Sequence, residues 1–138
     1  MAKFSDFGIG SDVIVGKSID IDELFYRRIV IENVKIAPTK YPGKNASGMR
    51  MQMQIVLASF NDTADENGDY YVKDYTGRPM GERRSCFTGS DTLMHQVEQA
   101  ESQLPGINAT RAENGLPSID VYPMDTTIVR QGKCFLFT

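Results

Sequence analysis

A chain of 138 residues, 41% hydrophobic and 24% charged, has the composition of one ordinary globular domain, long enough to bury a core without disulfide or metal staples. Its net charge of −3 excludes a surface coated throughout with nucleic-acid-binding charge. No basic-then-apolar leader opens it and no apolar run approaches the ~20 residues that cross a bilayer, so the expectation is a cytoplasmic protein free of the membrane.

In chain order, residues 1–24 mix short apolar pieces with the acids Asp20, Asp22 and Glu23. They predict an arm that packs on the core through Val13-Ile14-Val15, with a frayed start. Arg27 to Lys35 carries the β-branched residues Ile29, Val30, Ile31 and Val34, which predict a long strand. Pro38 to Gly48 is a loop by its prolines and glycines. Met49 to Phe60 has the clearest period of two. Met49, Met51, Met53, Ile55 and Leu57 face one way, as core; Arg50, Gln52, Gln54 and Val56 face the other, polar and flat. From Arg27 to Ser59 six basic residues stand against one acidic residue, Glu32, a local +5 that leaves −8 for the rest of the chain. That asymmetry fits either a basic binding face or a solvated sheet.

Asn61 to Gly68 is an acidic turn, and Tyr70 to Tyr75 a short aromatic strand or hairpin arm that Thr76 to Gly81 turns back. Arg83 to Thr88 reads as a strand broken by Gly89. Ser90 can then cap a helix, with Asp91 near the positive end of its dipole. Leu93, Met94, Val97, Ala100 and Leu104 recur at helical spacing. Pro105-Gly106 is expected to end the helix, because proline lacks the donor that continues the ladder. A linker runs to Pro123. The chain closes in a hairpin, Thr126 to Arg130 and Lys133 to Thr138, around Gln131-Gly132. Cys86 and Cys134 lie in separate apolar runs and read as buried, inert thiols, with a metal pair or disulfide as the alternative.

Strand, loop, strand, insertion, strand, helix, linker, strand, tight turn, strand is the order of the OB-fold. The expected fold is therefore mainly β: a five-stranded OB-fold barrel with one helix between strands three and four. Residues 1–138 form a single such domain, with 1–24 an arm and 61–82 and 105–123 loop insertions. A Greek-key sandwich is the alternative, but it would not need a helix there.

A search for catalytic motifs is negative. The single histidine, His95, sits in the helix beside Met94 and reads as a surface or boundary residue. There is no phosphate loop, zinc spacing or nucleophile elbow. Asp62, Asp65, Glu66 and Asp69 crowd one turn without the calcium-loop spacing, so a solvated acidic turn is the simpler reading. The expectation is a non-enzyme with no cofactor and no metal.

Proteins that hold single strands combine a cationic groove with aromatic faces on which bases stack. The candidates are Lys40, Tyr41 and Lys44 in the first inter-strand loop and Arg50 and Gln52 on strand two, with Gln54 beside them. Tyr70, Tyr71, Lys73, Tyr75 and Arg78 in the second insertion, and Arg83 and Arg84 entering strand three, complete the set. Tyr70 and Tyr71 cannot share one side of a strand, so at least one of them packs. Phe87, Phe135 and Phe137 read as core before platform.

The run Phe87-Thr88-Gly89-Ser90-x-x-Leu93, Leu104-Pro105 and the closing Thr126 to Phe137 together resemble small OB-fold single-stranded DNA-binding proteins of phages and mobile elements. The resemblance covers about Arg27 to Thr138. It implies a protein that coats single-stranded DNA in replication or recombination, in the host cytoplasm if phage-encoded, and leaves replication or recombination proteins and a homo-oligomer open as partners. The chain ends on a hairpin rather than the acidic tail of the better-known bacterial single-strand binders, which removes the usual ground for tail-mediated recruitment. A protein-interaction or phage assembly adaptor module without nucleic-acid binding is the alternative.

Overall fold

The computed structural model describes residues 13–39 and 45–138. In chain order it contains β1 (Lys17–Ser18), a 3-10 turn (Ile21–Glu23), β2 (Arg28–Pro38), β3 (Met49–Ala58), β4 (Gly81–Thr88), α1 (Asp91–Glu113), β5 (Met124–Gln131) and β6 (Cys134–Phe137). The protein is mainly β with one α-helix. Hydrogen bonding joins the strands in one six-stranded sheet ordered β1-β4-β3-β2-β5-β6. The antiparallel meander β2-β3-β4 followed by β5 returning beside β2 is the spatial order of a Greek key.

The five expected strands are β2 to β6. The sixth, β1, adds two residues parallel to β4. The edges β1 and β6 are not paired with each other, so the sheet is not closed. Both sides of the gap are covered by other means. The segment after β1 buries Ile19 and Leu24, and Phe25 bridges to Ile128 of β5. On the far edge, the Gln96 side chain of α1 takes both backbone groups of Phe137, donating to its carbonyl at 3.3 Å and accepting from its N–H at 2.8 Å. Thr92 donates to the Phe135 carbonyl at 2.6 Å. Helix side chains thus satisfy an edge that would otherwise recruit another strand.

Alternation along β3 sends Met51, Met53 and Ile55 into the main core, where they meet Ile29 and Ile31 of β2, Cys86 of β4 and Leu93, Met94 and Val97 of α1. The arm contributes Ile19 and Leu24 to that core, whereas Val13 and Val15 are exposed, correcting the expectation that Val13 to Val15 would be the packing piece. Phe135 and Phe137 are partly buried against it. Cys86 is buried, and that burial, with Asp20 adding, pushes its thiol up to about 12. Cys134 is exposed, so only one of the two thiols is a core residue.

Ser90 caps α1 by accepting from the Leu93 N–H, as its position predicts. The helix does not stop at Pro105 but continues to Glu113. What holds the later turns is the returning chain. Asn108 exchanges two hydrogen bonds with the Ile119 backbone, at 2.9 and 2.8 Å, and Arg111 donates to the Pro117 carbonyl at 2.7 Å. Half of the expected 105–123 linker is therefore helix. The closing hairpin also shifts by one residue: Gln131 pairs with Cys134, leaving Gly132-Lys133 as the turn. Positive φ falls on Gly132, the first turn residue, where a type II′ turn needs it. Tyr70 to Tyr75 forms no regular strand but is a hairpin arm: Lys73 bridges antiparallel to Pro79, the Asp74 N–H donates to the Arg78 carbonyl and the Met80 N–H to the Val72 carbonyl, both at 2.8 Å, and Phe60–Tyr71 is a second isolated bridge. No helix among the described residues is long and apolar enough to cross a membrane.

Candidate nucleic-acid interface

Residues opposite each other in an antiparallel pair share a face. Lys35 of β2 faces Gln52 of β3, and Gln52 faces Phe87 of β4; Gln54 faces Ser85, and Val56 faces Arg83. These residues make the outer face of the sheet, opposite the main core. It divides into three zones.

At one end the insertion between β3 and β4 folds over the sheet. Val30, Val56 and Tyr71 form a second buried cluster with Ala58 and Phe60 beside it. Tyr71 is a core residue, 5% exposed, and burial, with the Asp69 charge adding, raises its hydroxyl pKa. In the middle, Gln54 is buried under the arm. It accepts from the Val15 N–H at 2.7 Å, donates to the Val15 carbonyl at 2.9 Å and donates to the Arg84 carbonyl at 3.0 Å. Gly16 lets the arm come this close: an added Cβ would sit 2.0 Å from the Arg83 carbonyl oxygen, at a φ of +98.

Most of the candidate cations are committed to other partners. Lys73 lies 2.8 Å from Asp69 and 2.9 Å from Asp65, and these hydrogen bonds, Asp69's first, raise its pKa. Two carboxylates of the acidic turn thus close on a lysine. Arg78 and Arg83 both fork onto Glu32, at 3.1 and 2.8 Å. A β-bulge between Ile31 and Asn33 makes Glu32 the extra residue of β2 and turns it toward them. Burial works against the Glu32 charge, but the two guanidiniums outweigh it, so the carboxyl lies below its ordinary value. Arg84 donates to the Lys17 carbonyl at 3.1 Å and to the Ser18 carbonyl at 2.9 Å, fastening β1 to β4. Tyr70 is part-exposed, with the Arg28 guanidinium 5.1 Å from its ring; Tyr75 is fully exposed in the insertion. Lys40, Tyr41 and Lys44 lie outside the described residues.

The third zone is open. Phe87 is 46% exposed, and the Arg50 guanidinium lies 4.8 Å from the centre of its ring. No carboxylate pairs with Arg50, Lys35 or Lys133 among the described residues. Gln52 donates to the Ser85 hydroxyl at 3.0 Å on the same face. Next to this rim runs a groove of about 630 Å³, lined by Arg50 and Phe87, by the Gly89-Ser90-Asp91 entrance to α1, and by Lys133, Cys134 and Phe135 of the closing hairpin. Its shape is held from the loop before β3. The Asn45 amide donates to the Met49 and Gly89 carbonyls at 2.8 and 2.7 Å, and the Ser47 hydroxyl to Asp91.

Of the nine nominated residues that are described, only Arg50 and Gln52 belong to this zone. Phe87, read from the sequence as core before platform, stands half exposed on this rim instead, and Lys133 joins it from the closing hairpin. Arg83, Ser85 and Phe87 share one parity of β4, but Glu82, Arg84 and Thr88 make the other parity equally polar, so it is the pairing with Gln52 and Gln54 of β3 that puts Phe87 on the outer face. The arrangement supplies an aromatic face, a cation over it and further cations at its edges.

Comparison of the chain with protein-family models, with curated proteins and with solved structures returned no match.

Proposed function

We propose that this chain is a non-enzymatic, sequence-tolerant single-stranded DNA-binding protein of OB type, coating exposed strands in the replication or recombination of phage or mobile-element DNA. The observation that carries the reading is the half-exposed Phe87 ring under the Arg50 guanidinium, at the rim of a groove edged by Lys133. An aromatic platform beside cations without carboxylate partners is what base stacking and phosphate neutralisation require. The position supports it too. OB-folds bind oligonucleotides on the face of their second and third strands, between the loops that join strands one to two and four to five. With β2 to β6 taken as the five strands, the groove lies between β3, β4 and those same two loops. On this reading the open sheet is an OB barrel left unzipped between β4 and β6, and Lys35, Arg50 and Lys133 are its described phosphate contacts.

Fluorescence anisotropy with a labelled oligo-dT of about 30 nucleotides, beside a duplex competitor, tests the proposal. The expected result is tight binding to dT, weak binding to duplex, and a log K against log salt slope of about −2 from three phosphate contacts, each further contact from Lys40 or Lys44 steepening it by about 0.7. Absence of binding at low salt overturns it. A second reading, a protein-interaction or assembly adaptor, is favoured by the exposed Ile107, Leu116 and Ile119 around the far half of α1, and it predicts that absence.

A further inference from the structure

The groove is not a dent in a continuous sheet. It opens between β4 and β6, the two strands whose pairing would close a barrel, and it is lined from both: Phe87 and Thr88 on one side, Cys134 and Phe135 on the other. Paired strands lie ~4.8 Å apart and leave no space between them for a ligand. The gap exists because Thr92 and Gln96 hold the β6 edge from the helix side, while β1 occupies the β4 edge. At about 630 Å³ it is within the ≈ 300–1,000 Å³ of small-ligand sites.

Its chemistry is divided. Ile21, Met49 and Phe135 give the lining apolar surface, and the cations Arg50 and Lys133 belong to it as well. Asp91 is also part of the wall, held by Asn45 at 3.2 Å and by Ser47. An apolar lining with a carboxylate suits a flat base whose edge can donate hydrogen bonds, and repels a phosphate; the cations suit the phosphates on either side of that base.

We propose that this seam is an insertion site for one unpaired base, so that the strand is gripped by a base entering the gap between β4 and β6 as well as by stacking on Phe87. The inference rests on the single-strand reading above. A base engaged in a duplex cannot enter the seam, which makes insertion a source of the preference for single strands.

Cys134 provides the test. It lines the groove and is exposed, while Cys86 is buried with its thiol pushed up to about 12, so iodoacetamide should modify Cys134 alone. The Cys134→Ser variant assigns the label by losing it. With saturating oligo-dT bound, the alkylation rate at Cys134 is expected to fall by about tenfold or more. Conversely, protein already carrying a bulky maleimide on Cys134 should bind oligo-dT about tenfold more weakly. Normal affinity with alkylation at the free-protein rate, or normal affinity of the maleimide adduct, overturns the insertion site and leaves strand binding standing. Loss of oligo-dT binding by the unmodified protein overturns both.

Discussion

Phe87 stands half exposed with a guanidinium over its ring, and Tyr71 is packed against Val30 and Val56, so alanine at the two positions tests different things. Phe87→Ala should weaken oligo-dT binding by ~1–3 kcal/mol, the worth of one stacked base, while leaving the melting temperature nearly unchanged. Tyr71→Ala should instead cost ~3–5 kcal/mol of stability, as a large aromatic removed from a core does, and any loss of binding there reports unfolding. Anisotropy and thermal melts on the two variants separate the cases. Parent-like binding by Phe87→Ala would remove the platform. The same logic sorts the cations. A guanidinium forked onto Glu32 or a lysine between Asp65 and Asp69 must break an ion pair before it can serve a phosphate. Arg50 and Lys133 carry no such partner among the described residues.

At the scale of elements, α1 is built in two parts. Its first turns bury Leu93, Met94 and Val97 on the sheet; its later turns have no buried residue and are fastened by Asn108 and Arg111 to the chain that returns toward β5. Pro105 sits where one part gives way to the other, removing a helical donor and crowding the carbonyl one turn back. Because the position is exposed and already helical, Pro105→Ala should stabilise the protein by ~1–3 kcal/mol. Urea denaturation checks this; a lower midpoint would mean that the proline is required by the helix's path. The bulge in β2 acts at the same scale. One extra residue in a strand otherwise committed to alternation turns Glu32 toward two arginines of another segment.

For the molecule as a whole, that triad straps the insertion onto the sheet, so its titration belongs to global stability. The Glu32 carboxyl is held below its ordinary value of 4.5 in the folded protein. Unfolding restores that ordinary value, so the stabilisation is fully present above it and is lost as pH falls through the lower, folded value. Denaturant midpoints taken from neutral pH down to about pH 3 should decline, and Glu32→Gln should be less stable at neutral pH and show a shallower decline. An identical pH profile for the variant would remove Glu32 as a source of the dependence.

What the sequence determined by itself was local. The period of two in β3, the β-branched run of β2, the Ser90 cap and the presence of a two-residue turn at Gly132, though not its register, follow from neighbours in the chain, because side-chain alternation and capping are decided within a few residues. The tertiary structure decided everything that depends on which distant residue arrives. It settled that Gln54 meets the Val15 backbone and not solvent, and that Arg78, Arg83 and Lys73 find carboxylates. It settled that α1 runs past its proline because residues 117 and 119 return to hold it, and that the sheet stays open because helix side chains cap β6. Composition and spacing carry no information about such partners, since a cation or an amide has the same local signature whether it ends in a salt bridge, a core or a binding groove.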